Sequence, residues 1–156
     1  MRIIIAATST LLALLLGSGA AAAAALTGDA CTGNKADAGY CTTLTYVDRT
    51  LSVPGPPTTA DCQATCRGVL QDPGDWIVEF EGVPPGGRHQ MLGYACGFSV
   101  ARGDGEPADL TFSMTNQDIL DIIDETTQRF GGAHGGAVAA EGTMECQGHV
   151  AKWYID

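Results

Sequence analysis

Asn116-Gln117-Asp118-Ile119-Leu120-Asp121-Ile122-Ile123-Asp124-Glu125 opens a stretch that runs to Phe130, breaks at Gly131–Gly136 and resumes as Val138–Cys146. Ile119, Ile122, Ile123 and Phe130 fall on one side at helical spacing. Asp118, Asp121, Asp124 and Glu125 fall on the other, which reads as the hydrated side of an amphipathic helix opened by Thr115 or Asn116. The glycine run stops the helix. Beyond it Val138, Ala140, Met144 and Cys146 alternate with Ala139, Glu141, Thr143 and Glu145, the period of a half-buried strand. A Gln147-Gly148 break then leads to a last strand, Val150 to Ile155.

Upstream the same two periods recur. Leu110, Phe112 and Met114 suggest a short strand. Leu92, Tyr94, Cys96, Phe98 and Val100 alternate with Gly93, Ala95, Gly97 and Ser99, predicting one strand with large residues on one face and small ones on the other. Trp76, Val78 and Phe80 alternate with Ile77, Glu79 and Glu81. Cys62, Cys66, Val69 and Leu70 share a helical face behind Thr58, a cap with Asp61 three residues on. Pro73-Gly74 ends that helix, and Cys41–Asp48 reads as the first strand. The expected fold is α+β: a two-layer sandwich with one antiparallel sheet, both helices on one face, and split β-α-β topology.

The ends and the composition set the compartment. Arg2 followed by the apolar run Ile3–Leu16 and the tract Ala20–Ala25 has the layout of a secretory signal peptide. The expected organisation is a signal peptide over 1–25, an N-terminal arm over 26–40 and one domain over 41–156. Six cysteines, Cys31, Cys41, Cys62, Cys66, Cys96 and Cys146, then read as three disulfides with 15 possible connectivities. Cys62 and Cys66 both face the sheet in this reading, so each should reach into it. The 156 residues carry 8 Lys and Arg against 18 Asp and Glu, a net charge of −10. That disfavours nucleic acid and anionic lipid as partners. No stable membrane insertion is expected, because the leading apolar run falls short of a bilayer span.

Candidate chemistry is thin. His89, His134 and His149 stand far apart in no metal-binding motif, so no metal and no cofactor are expected. Ser52, Ser99 and Ser113 lack a nucleophile-elbow context, and no catalysis is expected. Arg102-Gly103-Asp104 is taken as a chance tripeptide. The candidate partner-binding surface is the small-residue strand face, Gly93, Ala95, Gly97 and Ser99, flanked by Glu79, Glu81, Glu141 and Glu145. It would be flat and acidic, suited to a basic partner.

The landmarks Asp61-Cys62, Asp75-Trp76-Ile77-Val78, Leu92–Val100, Asn116–Ile123, Arg129-Phe130, Gly142-Thr143-Met144-Glu145-Cys146 and Trp153 follow one another in an order that resembles a fungal secreted effector domain. That domain is the one named for the leaf-mould extracellular protein Ecp-two, the necrosis-inducing factor family. The resemblance covers about Cys41 to Ile155. It implies an extracellular protein, in the host apoplast if the fungus lives on plants, that triggers or modulates plant cell death. It also implies kinship with killer-toxin-like α/β sandwiches, hence an alternative reading as an antimicrobial protein acting on competing microbes. The partner would be an unidentified host or microbial protein, and the protein a monomer. Family members carry four cysteines, which match Cys41, Cys62, Cys96 and Cys146. If those four pair among themselves, Cys31 pairs with Cys66.

Overall fold

The computed structural model describes residues 29–72 and 74–156; the expected signal peptide lies outside them. The elements in chain order are β1 (Cys41–Thr43), β2 (Val47–Asp48), α1 (Thr59–Gln71), β3 (Trp76–Glu79), β4 (Arg88–Leu92), β5 (Phe98–Arg102), β6 (Thr111–Met114), α2 (Asn116–Phe130), β7 (Ala140–Cys146) and β8 (His149–Ile155). Short 3-10 turns precede β1 at Ala30–Thr32 and follow α2 at Gly131–His134.

Both helices begin with a reciprocal cap. The Thr58 hydroxyl accepts from the Asp61 amide and Asp61 accepts from the Thr58 amide, at 3.2 and 2.8 Å. Thr115 and Asp118 repeat the arrangement at 3.1 and 2.8 Å. Each box satisfies donors that the first helical turn otherwise leaves unpaired.

The acidic side of α2 departs from expectation. Asp118 and Asp124 are buried, each 5% exposed. The segment before β1 lies over that side and supplies the partners. Lys35 Nζ donates to Asp121 and Asp124 at 2.6 and 3.0 Å. The Asn34 amide donates to Gln117, and the Tyr40 and Cys41 amides donate to Asp118. Helical periodicity separates apolar from charged residues, but it does not say whether another part of the chain covers the charged side.

One six-stranded antiparallel sheet has the order β1-β7-β8-β5-β4, with β2 beside the far end of β7. The predicted strand Cys41–Asp48 survives as β1 and β2, interrupted where the Leu44 and Thr45 amides both donate to the Thr143 carbonyl, at 2.8 and 3.3 Å. Strands β5 and β7 run the same way with β8 antiparallel between them, and the chain crosses from one to the other through β6 and α2. This is the split β-α-β arrangement. The single-sheet expectation needs correction, however: β3 and β6 pair only with each other, as a separate two-stranded ribbon. Val78, Phe112 and Met114 of the ribbon enter the common core, with Phe80 just beyond β3.

The predicted continuous strand Leu92–Val100 is also corrected. It is a hairpin: β4 ends at Leu92, β5 begins at Phe98, and those two residues stand opposite each other. The reversal at Gly93–Gly97 has a physical origin. Two glycines in five residues weaken an extended run. Cys96 is drawn to α1 by its disulfide to Cys62, and the Thr65 hydroxyl donates to the Cys96 carbonyl at 3.1 Å. Gly97 and Asp156 close the turn with paired amide–carbonyl bonds of 2.9 and 3.4 Å.

The core gathers α1, α2, the ribbon and the inner side of the large sheet around Trp153, which is fully buried. The Trp153 ring meets Tyr46 edge-on, with centroids 5.1 Å apart. It also lies against Gly142, where any Cβ would come within 2.4 Å of the indole and 2.0 Å of the Thr45 carbonyl oxygen. Three disulfides complete the frame: Cys31–Cys66, Cys41–Cys146 and Cys62–Cys96. They match the pairing that the resemblance implied for Cys31 and Cys66. The expectation that Cys62 and Cys66 both reach the sheet is corrected. Cys62 reaches the β4–β5 turn, whereas Cys66 reaches the 3-10 turn at Ala30–Thr32 and fastens the N-terminal arm. Cys41–Cys146 joins directly opposed residues of neighbouring strands.

Candidate functional site

The outer face of the large sheet follows from strand alternation. Ala151, Trp153 and Ile155 of β8 point into the core, so Val150, Lys152 and Tyr154 point out. Register then sets one outward row as Glu141, Tyr154, Ser99 and Gln90, and the next as Thr143, Lys152, Ala101 and Arg88.

Lys152 and Tyr154 form a ridge between two open depressions. One, of about 330 Å³, lies over β5 between the ridge and the loops at Pro85-Gly86 and Gly103–Glu106. The other, of about 250 Å³, lies over β7 between the ridge and Thr45 and Val47. Charged groups around them are mostly paired. Lys152 donates to Asp104 at 2.9 Å, which raises its pKa, burial opposing only weakly. Glu106 is held below the usual carboxylate range, first by the Val150 amide and then by His149. Arg88 stacks on the Tyr154 ring at 3.5 Å and pairs with Asp156 at 2.6 Å.

A second surface runs along the outer side of β7. Leu44, Val47 and Leu51 are 52%, 48% and 89% exposed. Leu51 sits on an ordered turn: Thr50 donates to Asp48, and Ser52 and Val53 both donate to the Arg49 carbonyl. A depression of about 240 Å³ lies beside it, lined by Asp48, Arg49, Leu51 and Ser52.

The structure does not bring the predicted partner-binding residues together. Gly93 and Ala95 are exposed in the β4–β5 turn, Gly97 is buried there, and Ser99 is buried within β5. Glu79 belongs to the separate ribbon, and Glu81 to the turn after it. Glu141 is paired with Arg49, while Glu145 is exposed further along β7. The premise of a single small-residue strand face fails with the hairpin. The outward residues that sequence reading passed over, Lys152 and Tyr154, carried a legible signal in the alternation of the last strand.

The other candidates are accounted for by neighbours. His134 bonds Asp48 at 2.6 Å, His149 bonds Glu106 at 2.9 Å, and His89 contacts the Glu79 carbonyl. Among the described residues no group of three or more His, Cys, Asp or Glu is placed to hold a metal ion. Ser52 donates to the Arg49 carbonyl. Arg102 donates to the carbonyls of Val83 and Pro107, so its guanidinium is committed and the Arg102-Gly103-Asp104 tripeptide is not displayed as a unit.

Small size, an α+β core and a disulfide at every described cysteine define a disulfide-stabilised α+β domain. Among the described residues no helix is long and apolar enough to cross a membrane. The chain belongs to the Hce2 family of pathogen effectors, described as necrosis-inducing factors, whose profile matches residues 40–146. That match begins beside Cys41 and ends at its disulfide partner Cys146. The chain is also 28% identical over 117 residues to a probable chitinase, LysM18, of Penicillium expansum. The alignment covers 74% of this chain and 7% of that protein.

Proposed function

We propose that the protein is a secreted fungal effector that acts by binding a host protein, without chemistry of its own, through the apolar edge at Leu44, Val47 and Leu51. Membership of the pathogen-effector family supports the role. Three disulfides in a chain of this size suit an oxidising extracellular compartment. The observation that carries the binding mode is Leu51, 89% exposed on a hydrogen-bonded turn. A large aliphatic side chain carried into water on a hydrogen-bonded turn is a preorganised anchor for a complementary pocket, and Leu44 and Val47 extend the exposed apolar surface along the same stretch of chain. The partner's rim would be basic, matching Asp48 and the chain's net charge of −10.

The test is infiltration of leaves with purified protein, comparing the native chain with Leu51→Asp. Trp fluorescence and disulfide mapping confirm that both are folded. The native protein is expected to provoke a cell-death or defence response, and Leu51→Asp to lose it. A variant as active as the native protein removes the edge from the mechanism. Inhibition of yeast or bacterial growth with no leaf response transfers the role to antagonism of microbes.

A further inference from the structure

We propose that the open sheet face carries a separate binding site, in the trough over β5, for an uncharged polyhydroxylated ligand, an oligosaccharide. The floor of the trough is backbone: Ala101 and Gly103 offer no bulk, and packing enforces the glycine. A Cβ on Gly103 would lie 2.3 Å from the Val150 carbonyl oxygen. Such a floor lets a ligand come close to the main chain. The walls combine an aromatic ring, Tyr154, with hydrogen-bonding groups of both kinds, the Lys152 ammonium and the Asp104 and Glu106 carboxylates.

The chemistry narrows by elimination. An anion meets two carboxylates on a chain of net charge −10. A cation meets Lys152, which already engages Asp104. A purely apolar ligand would strip water from those charged walls without replacing its hydrogen bonds. A ring bearing hydroxyls supplies donors, acceptors and an apolar C–H face together, which suits a pocket with one aromatic wall and a few convergent polar groups.

Ser99 lies beside the trough and outside its lining. Its hydroxyl is fully buried and makes no hydrogen bond. Ser99 points to the same face as Ala101, one pleat along β5 and directly opposite Tyr154. A buried hydroxyl without a partner is costly.

The inference rests on the sheet geometry and not on the proposed protein partner. Its test is calorimetric titration of the intact, disulfide-mapped protein with the hexasaccharides of chitin, cellulose, β-1,3-glucan and xylan in separate arms. These arms distinguish fungal from plant walls as the source. One arm is expected to show saturable, salt-insensitive binding. Tyr154→Ala and Ala101→Leu should each weaken it roughly tenfold, whereas Leu51→Asp should leave it unchanged. Asp104→Ala guards against misfolding, because that side chain is 92% exposed, and it too should weaken binding. The proposal is overturned if no arm saturates, if Ala101→Leu binds like the native chain, or if a lysine decapeptide occupies the trough in preference to every sugar.

Discussion

Replacing Asp118 with alanine should damage this fold far more than its place on the polar side of a helix suggests. One carboxylate oxygen accepts from the Thr115 and Tyr40 amides at 2.8 and 3.0 Å, and the other accepts from the Cys41 amide at 3.1 Å. The same group therefore caps α2 and clasps the N-terminal arm where it enters β1. A hydrogen bond to a charged acceptor is worth about 1.5–3 kcal/mol. Three amides lose theirs together, but water reaches the half-buried Thr115 end, so the expected loss is about 3–5 kcal/mol. That is a large part of the ~5–15 kcal/mol typical of a domain. Asparagine keeps one acceptor oxygen and should recover only part. Gly39 supplies a second perturbation of the same contact, since its Cβ would stand 2.1 Å from the Asp118 carboxylate. Gly39→Ala should therefore be severe in the native background and mild once residue 118 is alanine. Urea unfolding followed by Trp fluorescence, with disulfides intact, measures all four proteins of the cycle. A loss under about 1 kcal/mol for Asp118→Ala, or equal costs of Gly39→Ala in both backgrounds, would refute the reasoning.

Gly142→Ala should destabilise by about 3 kcal/mol or more, because the new methyl meets the Trp153 indole and the Thr45 carbonyl oxygen at once; soluble yield and urea midpoint report it. Replacing Cys31 and Cys66 together by serine should cost about 3–4 kcal/mol on loop-entropy grounds, and amide exchange should rise over residues 33–40 while the two remaining disulfides stay intact. Acid should weaken the fold through three depressed carboxyls. Burial opposes the charge of Asp48, but bonds from His134 and Thr50 outweigh it. Thr58 holds Asp61 down, and the Val150 amide, then His149, hold Glu106 down. The native state then binds fewer protons than the unfolded chain, so this contribution is complete above about pH 5 and lost as pH falls through the lowered values. Urea midpoints measured from pH 6 to pH 2 should fall, and a flat profile would contradict the assignment.

Local pattern and chemistry were enough for much of this. The Thr58 and Thr115 caps, the apolar stripe of α2 and the alternation of Val138–Cys146 and Val150–Ile155 are properties of short segments. Each reads directly as an element because backbone periodicity and unpaired helix-end amides act within a few residues. The Cys31–Cys66 pairing was legible through family likeness, and the split β-α-β order through the succession of amphipathic helices and alternating strands.

Contacts distant in sequence decided the rest. Leu92–Val100 has the alternation of one strand, yet Cys62 in α1 and Asp156 at the last position fold it into a hairpin. That reversal dissolves the small-residue face, leaving Gly93 and Ala95 in a turn and Ala101 at the outer trough. Asp118 and Asp124 carry the pattern of a hydrated side, yet an arm about 80 residues earlier covers them. Periodicity records which side of an element is polar. Whether that polarity meets water or another part of the chain is settled only when the sheet, helices and disulfides close around one core.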